Sequence, residues 1–245
     1  MKLKVLSLLA LLLTCFTLQA RVYVLSVGVS NYYGKENNLP QASRAAKEFA
    51  ETMKLQTQDV TLLTSKYATV ANIREKLNAI VSKAAKDDRI VFFHEGHGYD
   101  GGFCGVDGTI SYKELAQTLA KSPANLKLVF LGGCHSGSAK NEGILNYGDQ
   151  AWITATRADE LGAEAGGSPY YFGGSVVKGL RGKADFNADK DVTLTELFKY
   201  VYNDITNKSS KAVYYDAKGN PEKHYQHPTL IAPKALHDRV IIRHK

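Results

Sequence analysis

The sequence predicts an α/β protein with a mostly parallel, six-stranded sheet and helices on both faces. Three observations lead there. Short apolar runs alternate with segments whose apolar residues fall at helical spacing. Six such runs occur, over 21–29, 59–63, 90–93, 126–131, 152–155 and 228–231. Two of them end in glycine beside reactive residue types, His94-Glu-Gly-His-Gly98 and Gly132-Gly-Cys-His-Ser-Gly137. Ligands of open parallel sheets bind outside the carboxyl ends of the strands, so these endings mark the candidate site.

Each element has its own signal. The run Arg21 to Val29 is apolar and β-rich. Ala42, Ala45, Ala46, Phe49, Ala50 and Met53 then repeat at helical spacing. Asp59 to Leu63 forms the second strand. Thr69 is a suitable N-cap for a helix with the inner face Val70, Ile73, Leu77 and Ile80. Ile90 to Phe93 is the third strand. Ser111-Tyr-Lys-Glu114 has the form of a capping box, opening a helix around Leu115 and Leu119. The run Leu126 to Leu131 is short and bounded by Pro123 and glycines, as a strand buried on both faces would be. Trp152 to Ala155 is the fifth strand. Residues 207–227 are polar and read as an excursion, after which Pro228 to Ile231 returns to the sheet edge.

The first twenty residues read as an export signal. Lys2 and Lys4 precede an apolar stretch, Val5 to Leu13, that is too short to span a bilayer, and Ala20 offers a small residue for cleavage. The expectation is one domain over 21–245, delivered to the periplasm or the medium. The net charge is +7, but Lys2 and Lys4 leave with the signal, and no basic cluster or nucleic-acid motif stands out. Nucleic acid is therefore not an expected partner; a peptide or protein substrate is. Of three cysteines, Cys15 lies in the signal, leaving Cys104 and Cys134. A disulfide between them would block Cys134, so a nucleophile there requires both to be free.

Cys134 stands at a strand end with His97 at the end of another. A free thiol titrates at about 8.5 and is mostly protonated at neutral pH. A nearby imidazole raises the reactive fraction and returns a proton to the leaving amine. The N–H groups of Gly98 and Cys134 are candidate donors to a developing oxyanion. His94, His97, Cys104, Cys134 and His135 are also zinc-ligand types. However, the spacing from His94 to His97 lies on a strand and turn, where i and i+3 point to opposite sides, unlike a helical metal motif.

The paired segments Phe93-His-Glu-Gly-His-Gly98 and Gly132-Gly-Cys-His-Ser-Gly137 resemble the signatures of bacterial caspase-like and metacaspase-like cysteine peptidases. Val24-Leu-Ser-Val-Gly-Val-Ser-Asn-Tyr32 is similar to that family's first strand, and Leu39-Pro-Gln-Ala42 to the entry of its first helix. Thr154-Ala-Thr-Arg-Ala-Asp-Glu160 is similar to the segment after its fifth strand. The resemblance implies a caspase–hemoglobinase-like fold, endopeptidase activity, a His97–Cys134 dyad and an oxyanion hole from Gly98 and Cys134. The alternatives are a legumain- or clostripain-like peptidase on the same fold, or a non-catalytic binding protein that retains it.

The sequence departs from metacaspases at two positions. The acid expected two residues before the nucleophile is Gly132, and one near the start of the first helix is Ala45. The expectation is a small or neutral P1 residue, with an acidic P1 read by Arg44 as second choice. Asp159 and Glu160 are the other candidate acids.

Asp185-Phe-Asn-Ala-Asp-Lys-Asp-Val-Thr-Leu-Thr-Glu196 has the oxygen spacing of an EF-hand loop. Calcium is the implied ion, held by Asp185, Asn187, Asp189, the Asp191 carbonyl, Thr193 and Glu196. Lys190 replaces the usual glycine. Thr193-Leu-Thr-Glu196 also forms a capping box, so a polar turn and a capped helix is the competing reading.

Overall fold

The computed structural model describes residues 20–162, 171–212, 214–215, 220–223 and 225–244. The expected signal segment, 1–19, lies outside them. In chain order the elements are β1 (Val22–Gly28), α1 (Ala42–Met53), β2 (Val60–Thr64), α2 (Val70–Lys83) and β3 (Arg89–Glu95). Three short strands follow: β4 (Gly98–Tyr99), β5 (Gly102–Cys104) and β6 (Thr109–Ser111). Then come α3 (Tyr112–Ala120), β7 (Leu126–Leu131), β8 (Gln150–Thr154), α4 (Tyr171–Lys178), β9 (Asp191–Thr193) and α5 (Leu194–Lys211). The chain ends with β10 (Tyr214–Tyr215), β11 (Pro221–Glu222), β12 (Thr229–Ile231) and β13 (Val240–Arg243).

The central sheet has six strands in the order β12-β8-β7-β3-β1-β2. All its pairs are parallel except β12 with β8. The sheet separates two apolar layers. Val24, Val91, Phe93, Leu128 and Phe130 point to one side, against Phe49 of α1 and Leu197, Val201 and Ile205 of α5. Leu25, Val27, Ile90, Phe92, Val129 and Leu131 point to the other, against Ile73 and Leu77 of α2 and Leu115 and Leu119 of α3. Strand alternation thus supplies both faces from the same runs.

The helix caps follow local chemistry. Thr69 accepts from Asn72 N–H at 3.1 Å and Ser111 from Glu114 N–H at 3.0 Å. Glu114 does not return the bond expected of a capping box. Its carboxylate takes Arg74 of α2 in a bidentate pair at 2.6 and 2.9 Å, tying α2 to α3. Thr193 and Glu196 complete the full box at the start of α5.

Two regions differ from the sequence expectation. The segment after His97 is a small antiparallel sheet, β4-β5-β6, whose strands are too short for a periodic signal. The expected excursion over 207–227 begins late, because α5 continues to Lys211. β13 pairs with β9 and carries Ile241 and Ile242 into the core.

Candidate active site

The register of the sheet brings His97 and Cys134 to adjoining strand ends at one corner. On neighbouring β3 and β7, His94 lies opposite Leu131. His97 and Cys134 each stand three residues beyond that pair. The two strand ends then close on each other. A Cβ on Gly98 would lie 2.4 Å from Cys134 O and 3.1 Å from Cys134 N, and a Cβ on Gly133 only 2.9 Å from Gly98 N. Glycine at these two positions permits the approach, so the two amides expected to bind an oxyanion share one small space.

The loop after β1 holds the imidazole. His97 Nε2 lies 2.8 Å from Asn37 O. A carbonyl only accepts, so Nε2 carries a proton and donates it to Asn37 O. The Tyr32 ring lies 4.7 Å from the His97 ring, centroid to centroid, and its hydroxyl accepts His97 N–H at 2.8 Å. Asn38 Oδ1 in turn accepts Tyr32 N–H at 2.9 Å. Tyr32, Tyr33, Tyr67 and Val106 line a groove along this loop. Sequence reading missed Tyr32 and Asn37, because a backbone carbonyl has no side-chain signature and Tyr32 looks like any strand-end aromatic.

Cys134 is half-buried on the other strand end. Its sulfur accepts Gly162 N–H at 3.3 Å and lies 3.7 Å from Gly162 O. The next residue, His135, has a left-handed backbone with φ 53°, uncommon outside glycine. The loop after β8 holds it there: His135 Nδ1 donates to Ala158 O at 2.9 Å and His135 N–H to Glu160 O at 2.9 Å. The Glu160 carboxylate accepts Arg157 N–H at 3.0 Å and His227 N–H at 2.8 Å, and pairs with the His227 ring. Glu160 therefore anchors a loop, and Asp159 faces solvent.

Both remaining cysteines are free. Burial pushes the Cys104 thiol up, with the nearby Cys134 adding to the effect. His94 is wholly enclosed, and burial pushes its pKa down to about 4. Its Nε2 donates to Cys104 O at 3.0 Å and its ring packs 4.5 Å from Phe103, which joins β3 to β5. Among the described residues no group of three or more His, Cys, Asp or Glu is placed to hold a metal.

The expected substrate-binding residues separate. Arg44 is exposed and pairs with Glu48 at 2.9 Å, so it sits as a solvated helix-face arginine. Ala45 is fully buried. At Gly132 the structure holds a residue that sequence reading passed over. A Cβ there would lie 2.4 Å from Glu95 Cδ and Oε2 and 2.7 Å from Oε1. A carboxylate therefore occupies the space beside Gly132, and it comes from β3.

The EF-hand-like loop curls around its own amides. Asp185 accepts the N–H of Asp189 at 3.2 Å and of Lys190 at 3.0 Å, and Asp189 accepts Asp191 N–H at 2.8 Å. Asn187 Oδ1 takes Asp189 N–H at 3.0 Å. Ala188 and Lys190 adopt positive φ of 59° and 70°. The Asp191 carboxylate makes two 2.6 Å bonds to Arg243. Glu196 Oε2 is engaged by Thr193 N–H at 2.9 Å and by its hydroxyl at 2.8 Å.

A parallel sheet carrying histidine and cysteine on adjoining strand ends defines a caspase-like protein with the fold of cysteine peptidases. Residues 21–235 match the family model described as the caspase domain, and the chain belongs to that peptidase family. Among solved structures, protein GSU0716 from Geobacter sulfurreducens is similar, with a TM-score of 0.65 and 17% identity, over 89% of this chain and 97% of that one. Caspase-1 from Spodoptera frugiperda is similar with a TM-score of 0.65 and 12% identity, over 91% and 89% of the two chains. Among curated proteins, no match to this chain is found.

His94 makes stability depend on acid. In the unfolded chain it takes a proton near pH 6.5, and in the folded chain only near pH 4. The unfolded state therefore binds more protons between these values, and stability falls as pH drops through that window, by up to ~3 kcal/mol. Urea unfolding at pH 7 and pH 4.5 should show a larger loss for the natural protein than for His94→Gln. Equal losses would mean that His94 does not carry the effect.

Proposed function

We propose that the protein is an exported cysteine endopeptidase acting through Cys134 and His97. The observation that carries this reading is the state of His97. Its Nε2–H is pinned on Asn37 O, which leaves Nδ1 as a base at the strand end beside Cys134. Nδ1 takes the thiol proton as sulfur attacks the substrate carbonyl carbon. Charge moving onto the carbonyl oxygen meets the Gly98 and Cys134 amides. The proton on Nδ1 passes to the leaving amine as the C–N bond breaks. Water, deprotonated by the same nitrogen, then cleaves the thioester and frees the acid.

Iodoacetamide should label Cys134 before Cys104, and a mixed peptide library should be cleaved. Cys134→Ala should abolish cleavage, and His97→Ala should slow it by about 100- to 10 000-fold. A chain that neither labels at Cys134 nor cuts any peptide would be a binding protein on a peptidase fold.

We also propose calcium binding by the 185–196 loop. Its support is the oxygen spacing, the left-handed Lys190 at the turn and the Asp185 bonds to two loop amides. Binding requires Glu196 to exchange its contacts with Thr193 for the ion. Millimolar calcium added to metal-stripped protein should then raise the melting temperature, and Glu196→Gln should remove the rise. An unchanged transition leaves the capped turn alone.

Export is the third proposal. The leader pattern ends at Ala20, one residue before the caspase-domain match begins at residue 21. Among the described residues no helix is long and apolar enough to cross a membrane. N-terminal sequencing of protein recovered outside the cytoplasm should read from Arg21; a chain that stays inside and starts at Met1 overturns the proposal.

A further inference from the structure

The residue that follows the leader is fastened where three strands begin. Arg21 N–H donates to Asp88 Oδ1 at 2.8 Å. Ala85 N–H, just past the end of α2, donates to the other carboxylate oxygen at 2.7 Å. Asp88 is 4% exposed. Its backbone carbonyl accepts Asn125 N–H at 3.1 Å, one residue before β7. Arg89 N–H, at the start of β3, donates to Arg21 O at 2.8 Å. Val22 then lies opposite Arg89, and Arg89 opposite Leu126. Asp88 therefore gathers the starting ends of β1, β3 and β7.

With the leader attached, the Arg21 nitrogen is an amide with one N–H and no charge. Two neutral amides then hold the buried carboxylate. Among the described residues no cationic side chain comes within ion-pair distance of it. The exposed Arg21 guanidinium is drawn chiefly to Tyr23. Enclosing a carboxylate without a charge partner is costly.

Hydrolysis of the Ala20–Arg21 bond changes the atom that faces Asp88. Water gives its oxygen to Ala20, which leaves as a carboxylate, and both its hydrogens end on the Arg21 nitrogen. An α-amino group titrates at about 7.7 to 8.0, so it is mostly an ammonium at neutral pH. The bond already aimed at Asp88 becomes charge-assisted, roughly twice as strong as a neutral one. One residue left ahead of Arg21 restores the amide, so the gain belongs to a single start site.

We propose that leader removal completes an ion pair between the new α-ammonium of Arg21 and Asp88, which locks the starting ends of β1, β3 and β7. This inference rests on the export reading. The β3–β7 pairing also sets His97 beside Cys134, so the cleaved chain is the form in which the site is held most firmly.

The test compares two chains released from the same fusion, 21–245 and 18–245. At neutral pH the 21–245 chain should melt higher by at least about 3 °C, and Asp88→Asn should bring the two within about 1 °C. Acetylating the α-amine of 21–245, which needs no variant to fold, should remove the same gain. Equal melting of 21–245, its α-acetylated form and 18–245 overturns the ion pair and leaves export standing. A gain that survives Asp88→Asn overturns Asp88 as the partner. Exported protein that begins at a residue other than Arg21 overturns the expected cleavage site, and the inference falls with it.

Discussion

The pairing of β3 with β7 is the constraint on which the site depends. Six consecutive residue pairs, Arg89 with Leu126 through His94 with Leu131, fix the two strands in register. A slip of one residue would put Phe93 and Phe130, now paired in one layer, on opposite faces of the sheet and would part His97 from Cys134. The apolar core and the candidate dyad are thus set by the same hydrogen-bond ladder. The glycines beyond the ladder carry the alignment into the loops by allowing the Gly98 and Cys134 backbones to touch.

Around that corner, chain segments far apart in sequence support the two reactive residues. The loop after β1 holds His97 through a carbonyl and a tyrosine. The loop after β8 holds His135, and through it the left-handed turn that follows Cys134. Glu160 and His227 fasten that second loop, so a carboxylate that resembled a spare acid in the sequence works as a brace. His94 acts similarly on the far side of β3, where its buried neutral ring connects the sheet to the small β4-β5-β6 unit. Each support relies on a backbone group or a buried side chain.

This explains what was legible beforehand. The strands around Leu128 and Phe92, the inner face of α1 and the caps at Thr69 and Thr193 follow from short-range pattern, and all stand where that pattern put them. His97 and Cys134 were legible because each joins reactive chemistry to a glycine-ended strand. Asn37 was not, since any residue supplies a carbonyl. The partner of Glu114 was not, because Arg74 lies 40 positions away in the chain and outcompetes the local N-cap amide. Glu95 was hidden for a third reason. A carboxylate next to a histidine reads as a polar strand end, and only the absence of a side chain at Gly132, on another strand, reveals the space it fills.

The overlap at that position has an evolutionary consequence. An acid at residue 132 and a glutamate at residue 95 need the same volume, since the first carbon of the one would stand 2.4 Å from the carboxylate of the other. Lineages can keep either arrangement but cannot pass between them by single steps at residue 132 without evicting a buried side chain.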